Sequence, residues 1–314
     1  MTFLDQAINL PVVNARRPCR AFPWLLAALL GLVEPAHAVS LTDDTGALVV
    51  TPAPPLRIAS LAPSTTAMLF AAGAGGEVVA TTEYSLEPPQ AQRIPRIGDS
   101  NALDLERLVA LHPDVVVAWP DGENAAETAR IARLGIPIYR ERVKRLADLA
   151  PSLRRLGRLA GTSATAEPAA TGIDARLADL TRRYAGLRPL SALLQIWARP
   201  IYTIGGPQPM TDALRVCGAR NVFADLREPA PSVGTEAVLA RNPDLIIAVG
   251  SRRDAETWLA MWKRFPELRA VRTGQLIVMD DLRLTRLAPS MLDATQALCE
   301  RIDQARHLAV TQPR

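Results

Sequence analysis

The chain has 314 residues, 48% of them hydrophobic, which is length enough for two domains of ordinary size with cores of their own. Its 36 Lys and Arg are interleaved with 32 Asp and Glu, and a net charge of +4 without basic blocks does not read as a nucleic-acid surface.

The first 38 residues read as an export signal. Arg16, Arg17 and Arg20 precede an apolar run from Phe22 to Val33, and Ala36-His37-Ala38 supplies the small-x-small site, with the cut after Ala38. A membrane anchor is the alternative, but a span needs about 20 apolar residues and this run is shorter. Cys19 lies ahead of the run, which argues against a lipoprotein anchor.

Residues 39–55 are polar, then Pro-rich, and read as a leader. A strand over 56–61 leads to Pro63-Ser64-Thr65-Thr66, which opens an Ala-rich helix with hydroxyl caps, stopped by Gly73-Ala74-Gly75-Gly76. A strand over 78–82, an aperiodic loop over 84–101, a helix over 103–111 and a fully apolar strand over 115–119 follow. A helix over 123–134 stops at Gly135 before a strand over 136–139. From 146 to 187 only helical patterning remains, broken at Gly161-Thr162-Ser163 and Pro168, and 173–184 reads as a long connecting helix.

The second half predicts a strand over 193–197, a strand or loop over 201–206, helices over 211–217 and 236–240, and a strand over 245–249. A Trp-rich helix over 254–265, a strand over 276–279 and a terminal helix over 290–308 close it. The fold class is α/β: two lobes with mostly parallel sheets flanked by helices, joined by one long backbone helix. The lobes are placed at 56–160 and 189–314, with 161–188 between them.

A repeat supports two matched lobes. Residues 106–118 and 236–248 share an order of acidic residue, short helix, Pro-Asp turn and buried strand. Glu106/Glu236, Ala110/Ala240, Pro113/Pro243, Asp114/Asp244 and Ala118/Ala248 are identical. Seams between lobes are where small ligands bind.

Removing the signal leaves His112 and His307, neither placed as a catalytic partner, and no nucleophile elbow, P-loop or dinucleotide fingerprint. A typical zinc site lacks ligands, so metal and cofactor are expected to be absent. Cys217 and Cys299, alone in an exported chain, read as one disulfide, with two buried free thiols as the alternative. Binding without reaction is therefore the better class. Contacts are sought in loops after strands: Tyr84, Asp99, Ser100 and Trp119 in the first lobe; Trp197, Arg199, Tyr202, Arg227 and the run 281–286 in the second. Aromatic residues at strand ends suit a large, flat, partly apolar ligand, with ordinary packing as the competing reading. Trp258 and Trp262, at helical spacing, read as packing.

The exported start, Ser60-Leu61-Ala62-Pro63-Ser64, Pro88-Pro89-Gln90-Ala91-Gln92, 105–111, Pro113-Asp114, Trp119, 216–223, Val238-Leu239-Ala240-Arg241 and Leu298-Cys299 together resemble the periplasmic cobalamin-binding proteins of vitamin B12 importers. The resemblance runs over roughly residues 56–305. It implies a periplasmic monomer with a corrinoid in the cleft, little hinge motion, and a bridge between Cys217 and Cys299. Its partners would be an ABC permease dimer with its ATPase. It implies that Glu106 and Glu236 dock onto permease arginines, which charge-assisted contacts would orient; the bland reading is that both simply open helices. It matches Tyr84 to a ligand-contacting tyrosine and has Asp281 and Arg286 bracket a ligand-contacting segment; Ser100, Trp119, Trp197, Tyr202 and Arg283 are read, from their places after strands, as lining the same site. Ser100 and Ala230 stand where the best-known members carry tryptophans, and the 281–286 segment is one residue longer. Asp99 replaces the tyrosine that haem-binding relatives use as a ligand. A ferric siderophore or haem binder is the alternative, and a secreted α/β enzyme a more distant one.

Overall fold

A computed structural model describes residues 38–99, 101–122 and 124–311. In chain order the elements are β1 (Val39–Thr42), β2 (Leu48–Thr51), β3 (Ile58–Ser60), α1 (Pro63–Ala71), β4 (Val78–Thr81), α2 (Leu105–Ala110), β5 (Val115–Ala118), α3 (Ala125–Arg133) and β6 (Ile138–Arg140). Then come α4 (Leu149–Ala160), α5 (Ser163–Tyr184), β7 (Leu190–Ala198), β8 (Ile201–Thr203), α6 (Pro209–Val216), β9 (Ala219–Asn221), β10 (Ser232–Val233) and α7 (Thr235–Arg241). The chain closes with β11 (Leu245–Val249), α8 (Arg252–Ala260), α9 (Arg269–Arg272), β12 (Leu276–Met279) and α10 (Met291–Thr311).

The first lobe is a four-stranded parallel sheet in the order β4-β3-β5-β6. The second is a mixed six-stranded sheet, β10-β8-β7-β11-β12, with β9 also on β7. There β11 runs parallel to β7 and β12, whereas β8 returns antiparallel from β7 as a hairpin. The fully apolar runs behave as strands buried on both faces must. Val115 and Val117 face one core and Val116 and Ala118 another; Leu245, Ile247 and Val249 against Ile246 and Ala248 repeat the split.

One of those cores is shared. Ile58, Val115 and Val117 of the first sheet, Ala166, Ala170, Ile173 and Leu180 of α5, and Ala192, Leu194 and Ile247 of the second sheet belong to a single buried cluster. The connecting helix is thus a wall of the common core, not a tether, and hinge motion would have to open packed apolar surface. Pro168 does not break it: α5 runs through that exposed proline. Gly161, left-handed at φ 73°, ends α4 and turns the chain into α5. Cys217, at the end of α6, and Cys299, within α10, form the disulfide inside the second lobe, with Cα atoms 4.6 Å apart.

Two sequence expectations need correction. Residues 39–55 contain the antiparallel hairpin β1–β2, not only a leader. Asp44 fixes that hairpin to the sheet: its carboxylate accepts the Arg142 amide at 2.7 Å and pairs with Arg155 at 2.8 Å, while its own amide donates to the Arg140 carbonyl. The hydroxyls of residues 64–66 do not cap α1; Ala62 is the cap, with Pro63 opening the helix. Thr65 and Thr66 turn inward instead, as described next. The segment 1–37, with the expected export signal, lies outside the described residues.

Candidate functional site

The ligand-facing edge of an open α/β sheet lies beyond the carboxyl ends of its parallel strands. In the first lobe that edge rests on a buried hydroxyl cluster. Ser60 Oγ lies 2.7 Å from Thr65 Oγ1, and Thr66 Oγ1 donates to Ser60 Oγ at 2.8 Å and lies 2.9 Å from Thr81 Oγ1. The cluster ties the end of β3 to the start of α1 and the end of β4, and Ser85 joins it at 3.3 Å. Buried hydroxyls are cheap only when paired, and these are.

Just beyond, Tyr84 stands 74% exposed with φ 64°. A left-handed tyrosine is costly and persists where surroundings enforce it. Arg96 does so, donating to the Thr82 and Ser85 carbonyls at 3.1 and 3.0 Å on either side of Tyr84. The ring is presented by a braced turn. Asp99 is engaged by its own loop, accepting the Asn101 and Ala102 amides at 2.8 and 3.1 Å. Ser100 lies outside the described residues. Trp119, at the end of β5, is half-buried against Gly122, where an added Cβ would meet the indole at 2.1 Å. Its buried indole N–H has no hydrogen-bond partner among the described residues.

In the second lobe, Trp197 is 55% exposed near the end of β7, opposite the exposed Tyr202 on β8. Arg199, in the hairpin turn, and Arg227 are exposed too. Asp281 begins a 3-10 turn, Leu282–Thr285, by accepting the Arg283 amide. Its carboxylate also takes the Arg283 guanidinium at 2.8 and 2.6 Å, and that hydrogen bonding holds the Asp281 carboxyl below the usual range. Arg283 reaches on to Asp293 in the first turn of α10 at 3.3 Å, so its charge is paired within the second lobe.

Arg286 crosses to the first lobe. It pairs with Glu87 at 2.5 Å, and Ser290 Oγ donates to the other Glu87 oxygen at 3.3 Å. Tyr84 and Arg286, expected in one site, are therefore in loops that meet. Beside this bridge lies a groove of about 680 Å³, walled by Ala67, Phe70 and Pro88 from one lobe and by Arg283, Ala288 and Pro289 from the other. Sequence reasoning missed Glu87 and Ser290, since a pairing across more than 200 positions leaves no local pattern. It assigned Trp258 to packing, and the ring does pack, against the second-lobe core and with its centroid 5.7 Å from that of Trp197.

Glu106 and Glu236 occupy the second position of α2 and α7, both exposed, and neither forms an ion pair among the described residues. His112 and Asn242 hold equivalent left-handed positions after those helices, at φ 44° and 39°. His112 is thus a helix terminator. No group of three or more His, Cys, Asp or Glu among the described residues is placed to hold a metal ion, and no described helix is long and apolar enough to cross a membrane.

The periplasmic binding protein family profile matches residues 58–282. The chain belongs to that family. It is 33% identical over 256 residues to the vitamin B12-binding protein of Vibrio cholerae serotype O1, spanning 81% of this chain and 92% of that one. The crystal structure of the periplasmic vitamin B12-binding protein BtuF of Vibrio cholerae superposes with a TM-score of 0.75, covering 81% of this chain and 98% of that one. The periplasmic haem-binding protein BhuT, at 19% identity, 80% and 98% coverage and a TM-score of 0.70, shares the fold.

Proposed function

We propose that this chain is the soluble periplasmic component of an ABC importer, capturing a corrinoid between its lobes and handing it unaltered to a membrane permease. The observation that carries the reading is the 33% identity to the Vibrio cholerae vitamin B12-binding protein along 92% of that protein. Residues 56–160 and 189–314 serve as the ligand-gripping lobes and 161–188 as their connector. Tyr84, Ser100 and Trp119 line one wall; Trp197, Tyr202, Asp281, Arg283 and Arg286 line the other. Exposed rings give apolar contact area at low entropic cost, and the Asp281–Arg283 and Glu87–Arg286 pairs offer polar edges to amide side groups. The export signal is cut after Ala38, and the mature chain works as a monomer.

Glu106 and Glu236 dock onto arginines of a two-fold permease, one from each lobe. Their exposure, lack of ion-pair partners among the described residues and matched positions on a repeated unit support this role. Isothermal titration of residues 39–314 with cyanocobalamin tests the ligand, with haem and a ferric siderophore as competitors. One-to-one binding at micromolar affinity or tighter is expected for cobalamin. Binding of another chelate alone would refute the corrinoid assignment. Changing Glu106 and Glu236 together to Ala is expected to abolish uptake with ligand affinity unchanged; surviving uptake would refute docking.

A further inference from the structure

Three of the chain's five tryptophans converge on one corner of the second lobe, Trp197, Trp258 and Trp262. Trp262 is fully buried, and its indole N–H donates to Gln195 Oε1 at 2.8 Å. Gln195, also fully buried, donates in turn to the Trp197 carbonyl at 3.2 Å. The β7–β8 ladder slips between Gln195 and Trp197, an irregularity of the kind that re-aims a side chain at a sheet end. A buried polar chain therefore fixes the backbone that presents a mostly exposed indole.

Trp258 fixes the indole itself. Its ring, on α8, meets that of Trp197 at a 55° tilt and a centroid distance of 5.7 Å, within the favourable range for edge-to-face pairs. It lies over the carboxyl end of β11, where a Cβ on Gly250 would stand 2.9 Å from it. That places the pair at the sheet edge where the ligand is expected. Tyr202, opposite Trp197, continues the exposed aromatic surface. Leaving an indole 55% exposed forgoes apolar burial, and an exposed ring held against Trp258 on a fixed backbone is built for a contact.

We propose that Trp258 is a positioning residue that locks Trp197 into an aromatic wall for the flat apolar face of the corrinoid. The inference rests on the proposed function and assigns to this lobe the rings that Ser100 and Ala230 do not supply.

Affinity for cyanocobalamin is compared by titration calorimetry among the unaltered chain, W197A, W258A, W258F and the W197A/W258A pair, with near-UV circular dichroism reporting the coupled indoles. The unaltered chain is expected to bind. W197A and W258A should each weaken binding roughly tenfold, the double variant should be little worse than either, and W258F should restore most of the loss. The dichroism of W197A and W258A should lose the same band. If the unaltered chain binds and W258A binds equally well, the inference is wrong while the corrinoid reading stands. The same holds if W258A binds normally but uptake falls, because the wall would then be a permease surface. Failure of the unaltered chain to bind any corrinoid would overturn the reading beneath it, and the inference with it.

Discussion

The two lobes carry one repeated unit and use it differently. In both, a short helix ends at a left-handed residue, a Pro-Asp turn follows, and the aspartate clamps the start of the neighbouring strand. Asp114 accepts the Leu56 and Arg57 amides, both at 2.9 Å, at the exposed entrance to β3. Asp244 accepts the Ser191 amide and hydroxyl at 2.8 and 2.7 Å at the start of β7, and adds Arg269 at 2.8 Å. The first clamp relies on the backbone alone; the second draws on two side chains and is half-buried. The second lobe also has the disulfide and a mixed sheet with hairpins, the first a purely parallel sheet on a hydroxyl floor. One motif thus serves as a local strand clamp in one setting and as the hub of a polar cluster in the other.

The disulfide is the largest asymmetry. A bridge closing a sequence separation of 82 is worth about 4 kcal/mol by loop entropy. Changing Cys217 and Cys299 together to Ser should lower the stability of the second lobe by about that amount in urea unfolding. Hydrogen-exchange protection on β3 and β5 should fall less than on β7 and β11. Equal loss would mean that the shared core makes the lobes one cooperative unit.

The first lobe holds the opposite kind of weakness. Glu141, just after β6, is fully buried; among the described residues its carboxylate accepts one hydrogen bond, from Ser152 Oγ at 2.8 Å, and burial pushes its carboxyl up to about 7. An acid with a raised folded value binds its proton more tightly when folded, so stability is highest in acid and falls as pH rises from about 4.5 through about 7. The loss above pH 7 is about 3 kcal/mol. Glu141→Gln keeps an acceptor for Ser152 and should stabilise the protein by roughly 1–3 kcal/mol at pH 8, with little effect at pH 5. An unchanged pH slope in this variant would show that Glu141 is not the source.

Asp244 titrates with the other sign. Burial opposes its ionisation, but hydrogen bonds from Arg269 and Ser191 outweigh it and hold the carboxyl below the usual range. Its stabilisation is present above about pH 4 and is lost as pH falls through the lower folded value. Asp244→Ala should cost about 2 kcal/mol at neutral pH, and Asp114→Ala about 1 kcal/mol, since the exposed clamp is partly replaced by water. Equal costs would erase the distinction between the two settings.

Much of this was legible in the chain because the relevant signals are local. The apolar runs of β5 and β11, the glycine stops after α1, α3 and α4, and the repeat itself follow from period, turn chemistry and short-range order. The cysteine pairing followed from a count of two once the export signal was set aside. Nonlocal balances were not legible. Asp44 fastening the hairpin to β6, the inward turn of Thr65 and Thr66, and the Glu87–Arg286 bridge depend on partners brought together by the fold. Trp258 illustrates the limit: helical spacing gives the fully buried Trp262 and the partly buried Trp258 the same signature, and only the approach of Trp258 to Gly250 and Trp197 separates them.

The smallest difference between the repeats is the residue that ends each helix. Asn tolerates the left-handed region better than His, whose side chain cannot make the same local hydrogen bonds. Asn242 also accepts the Arg269 amide at 2.8 Å, so its side chain is structural, whereas the His112 side chain is exposed. The reciprocal exchange should therefore be asymmetric. His112→Asn is expected to stabilise by about 0.5 kcal/mol through relieved backbone cost alone. Asn242→His should destabilise by about 1 kcal/mol, because it adds that cost and removes a hydrogen bond. Chemical denaturation of the two single variants measures both. Equal and opposite shifts would mean that the Arg269 contact contributes nothing, and the second lobe's clamp would then depend on Asp244 alone.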